Sequence, residues 1–500
     1  MKSLLYLVLD QLRADALGYA KASPVDTPNI DALALQSSVF TQHFTVASPC
    51  GPSRASLHSG QYVMNHRSVA NGAPIPADIP LCPKLLRAHG YDPTLYGYTD
   101  TPVAPRDAGR DHESLNRPFE AGILEDFRIG LLQNYEDPGQ WIMHLASKGV
   151  FPTTDDPFSV WDRGISRNAG FSRAPTRYAA EDSDTAFLAE AVIKQIEEEA
   201  GVGFCIHAAF LKPHPPFQAP APYHEMFDAD AMPEPRSPLE SEHPFVKAFI
   251  ELQADSVTFD KEINIGRLSA NQRRDIKAVY YGLIKELDDW LGVIFDTLRK
   301  FEAFDETLIV LTADHGELLG DYGGYGKAHF LDPAWHIPLL IKAPFQNTGQ
   351  RHTQLTESTD VLPTILDYAG IPCPADINGR SLRPLIEGNM PSDWRTAVMC
   401  ELDVSDPVTR EYETALGLTS DQLGLCVYRT ATYKLVVFTA LPPLLLAIDE
   451  SGTERVVKDP ELLSEALQGL TQHRLFHQSR RLARLRVGEL DSTWPGPRFQ

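Results

Sequence analysis

Leu4-Leu5-Tyr6-Leu7-Val8-Leu9-Asp10-Gln11 sets an unbroken apolar run against an abrupt polar stop. Six apolar residues without alternation, too few for a helical stripe, fit a strand buried on both faces, as the strands of a parallel sheet are. Met1 and Lys2 ahead of the run resemble the start of a signal peptide. Asp10, however, ends the stretch before a signal core is complete, and no small-residue cleavage site follows. No other stretch is long and apolar enough to span a bilayer. The expectation is a cytoplasmic protein with no membrane partner.

Working outward, the same alternation of short apolar runs and helical patterns recurs. Thr27-Pro28 opens a helix, with a cap residue followed by proline at the first helical position, and residues 81–89 form a helix stopped by Gly90. Residues 94–99 return as a strand. Further along, 182–200 is an amphipathic helix, 202–210 a buried strand, 271–301 a long helix, and 307–312 a buried strand that ends just before Asp314. This order predicts an α/β sandwich whose large, mostly parallel sheet is covered on both faces. After Pro391 the pattern turns β-rich (396–402, 425–430, 433–440), so the division is residues 1–390 for the α/β domain and 391–500 for a smaller antiparallel subdomain with a terminal helical arm. Two intervals, 100–176 and 212–268, are rich in Pro, Asp and His without periodicity and are expected to form walls or lids. Arg474, Arg480, Arg481, Arg484 and Arg486, interleaved with leucines, read as a solvated or subunit-packing helix.

Lys plus Arg number 45 against 67 Asp plus Glu, a net charge of −22 that argues against nucleic acid as a partner and requires any anionic substrate to find a local positive site. The six cysteines, Cys50, Cys82, Cys205, Cys373, Cys400 and Cys426, form no C-x-x-C pair, so neither a disulfide framework nor a structural zinc site is expected. Five are expected to be reduced core thiols.

In open parallel sheets ligands gather at the carboxyl ends of the strands. Three features fall there: Asp10-Gln11, the run Ser48-Pro49-Cys50-Gly51-Pro52-Ser53-Arg54 entering a helix, and Asp314-His315-Gly316-Glu317. Singly, each has a plain alternative, an aspartate as a turn or cap residue and a cysteine as a small core residue. Together they point to chemistry. Cys50 just before Pro52 would face the positive end of the helix dipole, which favours an anion there, and Arg54 can reach back as a fixed cation. Asp10, Gln11, Asp314 and His315 form an oxygen-rich donor set with one imidazole, which suits a single Ca2+ or Mn2+ more obviously than Zn2+. A metal beside an anion-holding helix end is a site for a tetrahedral oxyanion.

Cys50-Gly51-Pro52-Ser53-Arg54, followed by Ala55-Ser56-Leu57 and Ser59-Gly60-Gln61-Tyr62, resembles the signature of type I sulfatases in the alkaline phosphatase superfamily, where the cysteine of C-x-P-S-R is oxidised to formylglycine. The likeness runs from Asp10 through Asp314-His315-Gly316-Glu317 and Gly326-Lys327 into the C-terminal region, and so covers nearly the whole chain. Val8-Leu9-Asp10-Gln11, Met64-Asn65-His66-Arg67, Gly97-Tyr98-Thr99, Pro213-His214-Pro215-Pro216-Phe217 and Ala440-Leu441-Pro442-Pro443-Leu444 look like the narrower group of phosphonate monoester hydrolases and their arylsulfatase relatives. The resemblance implies an alkaline-phosphatase-like α/β sandwich. It also implies a hydrolase of sulfate monoesters, of arylsulfatase type, with accompanying turnover of phosphonate monoesters and phosphodiesters.

A cysteine would serve poorly, because its sulfated adduct has no easy exit. An aldehyde hydrates to a diol: one hydroxyl attacks sulfur or phosphorus and expels the alcohol, and the other loses its proton as the carbonyl re-forms and the anion leaves. By the same resemblance Asp10, Gln11, Asp314, His315 and the modified Cys50 would hold one divalent metal. Arg54 would hold the diol, Lys327 and Asn71 would steady the transferring group's oxygens, His214 would serve proton transfer or leaving-group assistance, and Tyr98 would line the pocket. A formylglycine-generating enzyme would be the maturation partner. A homo-oligomer, dimer or tetramer, could form through residues 462–487, as members of that group assemble through C-terminal arms; a helix lying on its own subunit fits those residues equally well.

The chain departs from the pattern at four places. Gln11 stands where many sulfatases have a second aspartate, His315 where Asn is common, Asp100 where the phosphonate hydrolases tend to have a neutral hydroxyl residue, and Lys212 where Arg is common. An added carboxylate disfavours doubly charged phosphate monoesters more than singly charged esters. The alternatives are phosphonate monoesters as the main substrate, a two-metal phosphatase or phosphomutase, and a non-catalytic oxyanion-binding protein should Cys50 remain a thiol.

Overall fold

The run that opens the chain is the strand Ser3–Leu9, buried at every position and paired in parallel with Cys205–Phe210 on one side and Thr307–Thr312 on the other. It lies inside an eight-stranded sheet in the order Gln350–His352, Ser38–Phe40, Leu339–Lys342, Thr307–Thr312, Ser3–Leu9, Cys205–Phe210, Pro93–Gly97 and Arg128–Leu132. Only Leu339–Lys342 runs antiparallel to its neighbours there. The computed structural model describes residues 2–20, 23–101, 124, 126–133, 139–154, 157–161, 171–255, 265–406 and 409–478. Parts of both long intervals, Arg480, Arg481, Arg484 and Arg486, and the end of the expected arm at 479–487 lie outside the described residues.

Alternation along the strands explains the two covered faces. Leu5, Leu7 and Leu9 enter one apolar cluster, and Leu4, Tyr6 and Val8 enter another on the opposite side. The first is closed by the helices Pro28–Ala34, Asp184–Glu199 and Ala270–Lys300, the second by Cys82–Ala88, Gly139–Ser147 and Val361–Ala369. The long helix packs through Ile276, Tyr280, Leu283, Leu287, Leu291, Ile294 and Leu298, a three-and-four spacing that keeps one stripe on the sheet, and it starts at a reciprocal Ser269–Gln272 cap.

A second sheet of six strands contains Ala397–Asp403, Gly424–Thr430, Tyr433–Phe438, Leu444–Ile448 and Glu454–Val456, all antiparallel. Its sixth strand, Ala47–Ser48, comes from the first part of the chain and pairs in parallel with Ala397–Asp403. The residues just before Cys50 are therefore stitched to the second sheet, while the helix that follows, Cys50–Ser59, is buried along its whole length. The intervals expected to be irregular contain the strand Arg128–Leu132 and the helices Gly139–Ser147 and Pro244–Asp255. All six cysteines are free, but Cys373 is exposed and Cys426 half-buried, so only Cys82, Cys205 and Cys400 fit the expected core thiols.

Candidate active site

Each of the four central parallel strands delivers a residue at its carboxyl end. Asp10 follows Ser3–Leu9, Tyr98 follows Pro93–Gly97, His214 lies beyond Cys205–Phe210, and Asp314 follows Thr307–Thr312. Gly97 makes the turn at Tyr98 feasible. Its φ is +95°, and a Cβ there would lie 2.1 Å from the Ala209 carbonyl oxygen.

Arg54, from the first turns of the helix Cys50–Ser59, joins these ends. Its Nε donates to Asp314 Oδ2, one terminal nitrogen to Asp10 Oδ2 and the other to the Tyr98 carbonyl, each at 3.0 Å, and its guanidinium lies 4.0 Å from the Tyr98 ring centroid. The Tyr98 hydroxyl also donates to Asp10 Oδ2. Asp314 Oδ1 accepts the backbone N–H groups of Gln11 at 3.1 Å and His315 at 2.9 Å. Gln11 reaches its place with φ +66°. His315 Nδ1 lies 3.0 Å from the Gly316 carbonyl and so carries the proton, which leaves the Nε2 lone pair 3.2 Å from Cys50 Sγ. Lys327 Nζ donates to Cys50 Sγ at 2.8 Å and to Gln11 Oε1 at 3.2 Å. Asn71 Oδ1 accepts the Gly51 N–H at 2.9 Å and so fixes the start of the helix.

The electrostatics follow from burial. Cys50 is pushed well above the ordinary thiol range by burial and by Asp10, opposite to the direction expected from the helix dipole. The neutral thiol is a weak nucleophile. Asp10 is raised by burial and by Asp314. Asp314 would be raised by burial alone, but His315, Arg54 and Lys327 hold it below the usual carboxylate range. His315 is lowered to about 4, chiefly by burial, and His214 is pushed far down by burial and Lys327. His214 Nδ1 meets the Pro215 carbonyl at 2.7 Å, so its Nε2 is an acceptor.

One carboxylate atom shows what the cluster is built to receive. Asp10 Oδ1 is buried with no hydrogen-bond partner, and one ligand atom from each of Asp10, Cys50, Asp314 and His315 lies within 4.8 Å of the others. A buried carboxylate oxygen left unpaired beside a deprotonated imidazole nitrogen fits a cation. Gln11 stands at the edge of this group. Its amide nitrogen donates to Glu317, and its oxygen takes the Lys327 bond.

The sequence assigns no role to Glu317, although it ends the run Asp314-His315-Gly316-Glu317. Its Oε1 accepts the backbone N–H groups of Leu319 at 2.8 Å and Gly326 at 2.6 Å, so one buried carboxylate ties the loop carrying Lys327 to Gln11. Ser53, within the signature run, spans to the Asp314 carbonyl and to Thr45. The motif alone gives that serine no role.

The model of the family described as "Sulfatase" matches residues 2–371, and that of "N-sulphoglucosamine sulphohydrolase, C-terminal" matches residues 320–442. The chain is a sulfatase-family hydrolase. It is 36% identical to the multifunctional alkaline phosphatase superfamily protein PehA of Trinickia caryophylli, over 97% of each chain. Among solved structures it is similar to the phosphonate monoester hydrolase SpPMH of Silicibacter pomeroyi, with TM-score 0.87 and 36% identity over 95% of this chain and 96% of that one. It is likewise similar to the phosphonate monoester hydrolase of Agrobacterium radiobacter, with TM-score 0.88 and 33% identity over 98% of each. No helix among the described residues is long and apolar enough to cross a membrane.

Proposed function

We propose that this chain is a metal-dependent hydrolase of sulfate monoesters that uses formylglycine made from Cys50, and that it also turns over phosphonate monoesters and phosphodiesters. The observation that carries the reading is the unpartnered Asp10 Oδ1 in a cluster with Cys50, Asp314 and His315, under the ammonium of Lys327. Asp10, Asp314 and His315, with Gln11 at the rim, would hold one divalent ion, Ca2+ or Mn2+ before Zn2+ given the oxygen-rich set. Such an ion supplies Lewis-acid polarisation and lowers the pKa of an oxygen nucleophile. The aldehyde form of residue 50 supplies that oxygen and a route for releasing the acid group.

The remaining work falls to side chains in place. Arg54 holds Asp10 and Asp314 in register, and Lys327 neutralises charge at the reacting atom. The Asn71 side-chain amide oxygen, accepting from the Gly51 N–H, keeps Gly51, and so residue 50, in position. His214, neutral and with its Nδ1 proton committed to Pro215, takes up a proton at Nε2 and needs another donor before it can assist a leaving group. Cys50 is 5% exposed, so a formylglycine-generating enzyme would have to act before the fold closes.

A second reading makes phosphonate monoesters the main substrates. The two phosphonate monoester hydrolase structures, at 36% and 33% identity over nearly the full length, favour it. Comparison of kcat/KM for para-nitrophenyl sulfate and para-nitrophenyl phenylphosphonate on matured, metal-loaded protein separates the two. Sulfate turnover equal to or above phosphonate turnover supports the first reading; a phosphonate lead of orders of magnitude replaces it with the second. Homo-oligomerisation through residues 462–487, whose described part begins in the helix Pro460–His477, is a further proposal, and light scattering of the full chain tests it.

A further inference from the structure

Gln11 is pinned through its main chain on both sides. Its N–H donates to Asp314 Oδ1 at 3.1 Å, its carbonyl accepts the Tyr280 hydroxyl at 2.9 Å, and that hydroxyl in turn accepts the Arg13 N–H at 3.1 Å. The main chain at Glu317 is fixed as well, because a terminal nitrogen of buried Arg13 donates to the carbonyls of Glu317 at 3.2 Å and Leu318 at 3.1 Å. With both backbones set, one freedom left to the Gln11 side chain is the half-turn of its terminal amide, which exchanges the oxygen for the nitrogen.

The neighbours decide that half-turn. The Lys327 ammonium carries only donors, so the Gln11 atom 3.2 Å from it has to be the oxygen, and the amide nitrogen then faces Glu317 Oε2, to which it donates. Glu317 takes that bond at Oε2 because its Oε1 is engaged by the N–H groups of Leu319 at 2.8 Å and Gly326 at 2.6 Å. Gln11 and Glu317 are both fully buried, so bulk water cannot replace a lost partner. The same ammonium donates to Cys50 Sγ at 2.8 Å, which links the Gln11 oxygen to the cluster of Asp10, Cys50, Asp314 and His315. A flipped amide would present N–H groups, the positive end of its dipole, to that ammonium and to a cation in the cluster.

We infer that Glu317 is a positioning residue: by accepting from the Gln11 amide nitrogen it keeps the Gln11 oxygen turned toward Lys327 and the bound cation. The inference rests on the single-metal reading above. Its test is the calorimetric Kd of Mn2+ for full-length, matured wild type, Glu317→Gln, Gln11→Met and the double variant. In Glu317→Gln the two backbone N–H groups claim the oxygen of the new amide, its nitrogen meets the Gln11 nitrogen, and Gln11 has to flip or withdraw. Affinity for Mn2+ should fall about 10–100-fold, the range for losing a group that orients a metal ligand. In the Gln11→Met background residue 11 has no amide to orient, so the same change should move Kd by less than about twofold. An equal fall in both backgrounds would show that Glu317 acts only on the loop carrying Lys327, and an unchanged Kd in Glu317→Gln would show that the amide needs no such partner; either result overturns the inference. Should Glu317→Gln fail to fold, Glu317→Asp, which keeps the charge but is one methylene too short to reach both the loop and Gln11, makes the same comparison. A wild type that binds neither Mn2+ nor Ca2+ would instead sink the metal reading, and this inference with it.

Discussion

Replacing Arg54 by alanine should unbalance the buried centre of this fold. The guanidinium is 1% exposed and makes three 3.0 Å contacts, two of them to the carboxylates of Asp10 and Asp314, which are buried beside each other. Removing one partner of a buried ion pair costs about 3–5 kcal/mol, because the remaining charge is left uncompensated. Here two carboxylates lose the same partner, so the upper end of that range is expected for metal-free Arg54→Ala. Arg54→Lys should recover only part of the loss, since one ammonium cannot replace a three-way fork. The assay is thermal unfolding of metal-free and Mn2+-loaded protein. The variant should have a markedly lower Tm without metal and gain more from Mn2+ than wild type does, because the cation takes over the lost compensation. The loss should also shrink in acid. Asp314 is held below its ordinary range in the folded state, so the stability it contributes is present above the unfolded carboxylate pKa and disappears as pH falls through the folded value. A stability loss under about 1 kcal/mol, against the range expected for a broken buried pair, or an Mn2+ increment no larger than in wild type, would refute this reasoning.

Lys327→Ala should lower kcat by about 10²–10³-fold, the range for losing one preorganised charge at the reacting atom; steady-state kinetics with para-nitrophenyl sulfate would check it. Gly51→Ala places a methyl 3.0 Å from the Asp100 carbonyl oxygen and the Asn71 Cα, so kcat/KM should fall at least about tenfold through misplacement of residue 50; an unchanged value would mean that the wall yields freely. Buried His58 and His66 are each lowered to about 3, chiefly by burial, so the unfolded chain takes up their protons first. Stability should therefore decline as pH falls from about 6.5, the unfolded imidazole value, toward 3. A Tm-against-pH profile should show the decline, and His58→Phe should flatten it.

How much was legible follows from where the physical signal sits. The run at residues 4–9 could be read because a strand buried on both faces has no polar position, and the structure extends it by one residue to Ser3–Leu9. The helix Ala270–Lys300 carries its stripe and its cap in the sequence, and the expected bounds, 271–301, differ from it by one residue at each end. The pair Ala47–Ser48 could not be found that way, since two residues have no period and their pairing to Glu401 and Leu402 is set by tertiary contact. Pro244–Asp255 escapes a sequence reading because the stretch leading into it is broken by Pro233, Pro235, Pro238 and Pro244, although Phe245, Val246 and Phe249 lie on one buried face. At the site, residue types foretold the meeting of Asp10, Cys50, Asp314 and His315, but not the direction of the Cys50 shift. That direction depends on burial and on Asp10, which neither helix polarity nor spacing reveals. Glu317 has no role legible in the sequence because its partners are backbone N–H groups and an amide, which leave no mark in a single sequence.

The account stands or falls on the chemical state of residue 50. Mass spectrometry of the peptide carrying residues 46–54, from protein produced together with a formylglycine-generating enzyme, reads it directly. The mass of the aldehyde or its hydrate is the predicted result, with turnover present in that material and lost in Cys50→Ala. An intact cysteine in protein that still hydrolyses sulfate and phosphonate esters would contradict the account.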